Sequence, residues 1–163
     1  MSQVRLMATI SGRRQTSETK ALGEVMIMTN LNRVTSYRND AVVGRFAQKH
    51  NVSEEKAQEI FEETCKWLWL KAKASQEASA PELPMFENGY LEKIDEMWHT
   101  FLLYTKDYTG FCHRLLGQYV HHTPSKGGDG DNPVELELMI EYVIDHLGVE
   151  TARRWFSTPR GAK

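Results

Sequence analysis

LEKIDEMWHTFLLYTKDYTGFCHRLLGQYVHHTP, residues 91–124, is the stretch whose reading decides the fold. Ile94, Asp95, Trp98, His99, Phe101 and Leu102 fall on one broad side of a helix expected over residues 91–104. Thr105 can cap a second helix, with Asp107 in its first turn, where the positive end of the helix dipole favours a carboxylate. That helix turns Tyr108, Phe111, Cys112, Leu115 and Leu116 inward, and Gly117 closes it. Residues 118–122 are expected to be extended, because Pro124 disfavours helical geometry at Thr123.

Working outward, the same helical grammar recurs on both sides. Asn39 and Asp40 are N-cap residues for a helix over about residues 40–50, with Val42, Val43, Phe46 and Ala47 inward and Asn51 as a left-handed cap. Ser53 caps a helix running to about Gln76. Its stripe of Ala57, Ile60, Phe61, Thr64, Cys65, Leu68 and Trp69 follows three-four spacing. Trp67 and Leu70 lie off that stripe, so this helix is either central to the fold or meets a partner chain. Pro81, Pro84 and Asn88–Gly89 punctuate the passage to residue 91. Downstream, SKGGDGD reads as a loop. Asn132 and Pro133 open a helix with Leu136, Met139, Ile140, Val143 and Leu147 on its apolar face, closed by Gly148, and a short helix follows over residues 150–156.

The expectation is an all-α, single-domain orthogonal bundle of five to six helices over residues 21–157. A basic N-terminal arm (residues 1–20) and a short tail (residues 158–163) flank it. Residues 21–37 read as a short helix or irregular packing segment.

The totals narrow the function classes. A chain of 163 residues can bury a core without disulfides or metal. A net charge of −2 with both signs mixed argues against a general nucleic-acid binder. Two cysteines give no disulfide framework. No export signal is legible, and no run approaches the roughly 18 apolar residues of a membrane span. A cytoplasmic protein with reduced thiols is the expectation.

The chemistry concentrates in residues 91–124, which hold four of the six histidines. Asp95 and His99, four residues apart on a helix, share a face and can meet. A carboxylate can hold an imidazole in one tautomer and leave its other nitrogen for a metal or a proton, or both groups can ligate one ion. His121 and His122 are the sources of further ligands, and in an extended segment only one of the two faces inward. Cys112 reads as buried packing and His113 as surface. The plainer reading is that an Asp–His pair stabilises a helix and that the histidines are structural. No H-x-x-x-H or C-x-x-C occurs, the glycine-rich loop is neither a P-loop nor an EF-hand, and no nucleophile motif is present.

The pattern Asp95-x-x-Trp98-His99, Thr105-x-Asp107-Tyr108, Phe111-Cys112, Gly117-x-Tyr119-x-His121-His122-x-Pro124 resembles an uncharacterised family of small helical bacterial proteins. That family is similar to the helical part of plant glycine-rich domain-containing proteins. The resemblance implies that Asp95, Trp98, His99, His121 and His122 form one constellation. Some relatives carry a second histidine two places after the first, where this chain has Phe101.

Two functions follow. The first is a site of His99, Asp95, His121 and His122 that holds a divalent metal such as zinc or iron, with the reaction open. The second is a partner-binding helical adaptor, or a homo-oligomer, built through residues 66–71, in which the histidines are structural.

Overall fold

The computed structural model describes residues 31–85, 89–123 and 132–157. The expected arm at residues 1–20 and the tail at 158–163 lie outside them, as does the glycine-rich loop. The described residues are all-α: they hold seven α-helices and no strand. These are α1 (residues 31–35), α2 (Asp40–His50), α3 (Glu54–Ala74), α4 (Gly89–Leu102), α5 (Thr105–Phe111), α6 (Pro133–Leu147) and α7 (Val149–Phe156). A π-helical turn, Cys112–Leu116, continues α5. The sequence pattern read the residues between Thr105 and Gly117 as one helix and did not separate this turn; α1 falls in the segment 21–37, expected as a short helix or irregular packing, of which residues 21–30 lie outside the described residues.

The predicted stop and start signals act as expected. The Asn39 side chain accepts from the Val42 amide, Asn51 closes α2 at φ 52°, and Ser53 accepts from the Lys56 amide. Asn132 caps α6 with Pro133 at its start. Thr105 does not cap α5; the N-cap position is Tyr104, which makes no side-chain capping bond, and Thr105 is the first helical residue.

α3 is the axis of the core. Trp67, Leu68, Trp69 and Leu70 are all buried, so consecutive residues face protein in every direction. α2, α4, α6 and the π turn all pack on it. The apolar surplus of residues 66–71 is therefore satisfied within the chain, with Trp67 edge-on to Trp155 at 5.6 Å. Beside α3 lies an aromatic cluster. Phe101 meets Phe61 at 5.3 Å, Phe111 at 5.4 Å and Tyr108 at 5.1 Å, and Tyr37 lies over Phe111 at 5.0 Å. Burying such rings supplies area and adds edge-to-face contacts of roughly 0.5–1.5 kcal/mol each.

α7 closes the far side through one buried carboxylate. Glu63 of α3 accepts from Arg154 at 2.5 Å, from Lys66 at 2.8 Å and from the Trp155 indole at 2.8 Å.

Candidate metal centre

α4 carries two functions on adjoining strips. Leu91, Ile94, Met97, Trp98 and Phe101 are buried and bind it to the core. Asp95 and His99 sit at the rim of that face, with side chains 25% and 54% exposed, so they are anchored yet reachable. Asp95 Oδ2 lies 3.3 Å from His99 Nδ1, as the i, i+4 spacing requires.

The second histidine arrives from the other side. Gly117 ends the π turn at φ 75°, a left-handed conformation that glycine adopts without a Cβ penalty. The chain then runs back over α4. Its side chains alternate: Val120 is buried, His121 exposed, and the His122 side chain only 13% exposed. His122 Nε2 hydrogen-bonds Asp95 Oδ1 at 2.8 Å. A carboxylate can only accept, so this nitrogen carries the proton. The His99 and His122 rings are 4.3 Å apart, and Trp98 meets the His122 ring edge-on at 4.4 Å.

Asp95, His99 and His122 each offer one ligand atom, all within 4.8 Å of one another. Four donors at 2.0–2.1 Å from a tetrahedral zinc would stand about 3.4 Å apart. The contacts of 2.8 and 3.3 Å through Asp95 both fall just short of that spacing, so an ion needs the triangle to open there.

Of the four residues singled out from sequence, three converge. His121 is the outward member of the pair and meets the Tyr119 ring at 4.7 Å in a tilted contact, away from the cluster. Phe101, where some relatives are expected to carry histidine, is wholly buried in the aromatic cluster. Two residues beyond His99 it points about 200° around the helix, so a ligand there would face the core. His113 is exposed and Cys112 buried, as expected. Burial raises the pKa of both Cys65 and Cys112, which removes them as nucleophiles.

Sequence reading missed what holds the returning segment. The Tyr108 hydroxyl donates to the Val120 carbonyl at 2.6 Å and accepts from Trp98 Nε1 at 3.0 Å. Asp107 accepts from Asn39 at 3.0 Å, and Tyr104 donates to the Ala41 carbonyl at 3.0 Å. A buried tyrosine needs a polar partner, as its residue type alone implies; the unread part was that a chain without a ladder offers its backbone carbonyls.

A family model, UCP032817-like, matches residues 33–132. That is more than half of the chain and includes every residue of the cluster, so the protein belongs to the UCP032817-like family. No curated protein and no solved structure matches it.

Proposed function

We propose that this protein binds one divalent metal ion, zinc or iron, through Asp95, His99 and His122. The observation that carries the reading is the convergence of three ligand atoms from two separate chain segments within 4.8 Å. Two histidines and one carboxylate form a donor set that suits both zinc and iron(II). His99 would be the ligand nearest solvent, and Asp95 the group that orients both rings. His121 stands outside this set. The kinship of the Asp-x-x-Trp-His pattern with the plant glycine-rich domain-containing proteins, and a single orthogonal bundle as its carrier, belong to the same proposal. A reducing cytoplasm suits the two free, buried thiols. No helix among the described residues is long and apolar enough to cross a membrane.

The test is elemental analysis of protein purified without a histidine tag, followed by zinc and cobalt(II) titration, beside His99→Ala and His122→Ala. The expected result is about one ion per chain in the parent and loss of tight binding in both variants. Affinity should fall as the solution is acidified, because protons compete with the ion for the imidazole nitrogens. Absence of metal from a cooperatively folded parent in both assays would reject the reading.

The adaptor reading rests on a different observation. Val134, Leu138 and Val149 are 64%, 50% and 51% exposed on α6 and α7. In that case partner binding would be lost on Leu138→Asp and retained in His99→Ala.

A further inference from the structure

We propose that Tyr108 is a positioning residue for the centre: its hydroxyl fixes the returning segment so that His122 meets Asp95. The inference rests on the metal-binding reading for its consequence, and on separate geometry for its cause.

The segment after Gly117 has three anchors at alternate positions. Gln118 donates to the Ala72 carbonyl of α3 and to the hydroxyl of Ser75, which caps its C-terminal end, both at 2.6 Å. Val120 offers its carbonyl to Tyr108. His122 reaches Asp95. Alternation along an extended chain puts the Gln118, Val120 and His122 side chains on the inner side. The middle anchor is nearest to His122 and is the one wholly enclosed: Tyr108 is 1% exposed and Val120 6%.

The hydroxyl is itself oriented. Trp98 Nε1 donates to one lone pair, which leaves the single Tyr108 proton for the Val120 carbonyl. Trp98 also bears on the His122 ring, so one network sets the height of the segment and the tilt of the imidazole. Without the hydroxyl, the Val120 carbonyl loses a buried donor. The segment then has reason to lift toward water, carrying His122 with it.

The experiment compares the parent, Tyr108→Phe and Tyr142→Phe. Tyr142→Phe makes the same chemical change elsewhere, deleting a hydroxyl that donates to Glu77 at 2.8 Å. Cobalt(II) is titrated into each by its visible absorption. In the metal-free proteins the ring nitrogens of His122 are followed by NMR. Tyr108→Phe should weaken cobalt(II) binding by about 10–100-fold, the loss typical of groups that orient ligands. It should also alter the cobalt absorption and shift the His122 nitrogens, while Tyr142→Phe does neither.

Parent-like affinity, absorption and His122 shifts in a folded Tyr108→Phe would overturn the proposal. If the parent takes no cobalt, the metal reading fails. The NMR comparison then decides Tyr108 alone: a displaced His122 supports it and an unmoved one overturns it. If Tyr108→Phe does not fold cooperatively, Trp98→Phe removes the donor that orients the hydroxyl. A parent-like cobalt affinity and absorption in that variant would overturn the proposal equally.

Discussion

Glu63 and Asp95 are carboxylates on adjacent, packed helices, each held by side chains from other parts of the chain, and they do different work. Glu63 is 3% exposed and surrounded by Lys66, Arg154 and the Trp155 indole. These partners only donate; none has a lone pair to offer a cation, and two carry permanent positive charge. Asp95 is three-quarters buried and faces two imidazoles. An imidazole nitrogen can exchange its proton for a metal ion. A buried carboxylate is thus a fixture or a site according to the chemistry of its partners, and burial alone does not separate the two.

The largest effect should come from Glu63→Ala. It strands the buried Trp155 indole and leaves Arg154 and Lys66 unpaired, and it should cost roughly 2–4 kcal/mol in urea unfolding, because stranded buried donors are expensive. The folded fraction should still take up cobalt with parent affinity. Loss of binding there would break the division between fixture and site.

His122→Ala should do the reverse. Cobalt affinity should drop at least about 100-fold, equivalent to about 2.7 kcal/mol. Stability without metal should change by less than about 1 kcal/mol, since the bond it deletes lies at a rim that water can reach. A large loss of metal-free stability would make this pair architecture as well.

Tyr142→Phe sharpens the comparison at a third carboxylate. Burial would raise the pKa of Glu77, but hydrogen bonds from Lys73 and Tyr142 outweigh it and hold the group below its usual value. A depressed carboxylate adds stability above its unfolded pKa, and that stability is lost as pH falls through the folded pKa. Deleting the Tyr142 hydroxyl brings the two values closer. The acid limb of the stability curve should become shallower, with a loss of about 1 kcal/mol at neutral pH. Unchanged acid sensitivity would show that Lys73 suffices.

The smallest effect belongs to His121→Ala. This exposed neighbour of His122 should leave cobalt affinity within about twofold, because solvent-facing substitutions away from such networks are nearly neutral. A loss comparable to that of His122→Ala would bring His121 into the ligand set.

Much of the fold was legible because its signals are local. Asn39, Ser53 and Asn132 satisfy orphan amides within three residues of themselves, and Asn51 and Gly117 relieve a left-handed backbone where they stand. Such interactions need no knowledge of the rest of the chain. Thr105 failed as a cap because α5 follows α4 too closely: Tyr104 already ends one helix, its amide bonded to the Phe101 carbonyl, while its own carbonyl accepts from Tyr108. The π turn at Cys112–Leu116 carries no local mark of that kind.

The centre divides in the same way. Helical periodicity alone put Asp95 beside His99, and alternation alone required that His121 and His122 part company. Which of the two turns inward depends on where Val120 is held, and that is set by the Tyr108 hydroxyl, with Trp98 aligning it from another helix. The sequence could likewise show that residues 66–71 are apolar on more than one side, but only packing against α2, α4 and α6 decided that the surplus is core. Caps, faces and registers act over a few residues of one chain segment, so the sequence by itself determined them. The partner of Asp95 lies 27 positions away, and only the tertiary structure, which brings such distant segments together, could choose it.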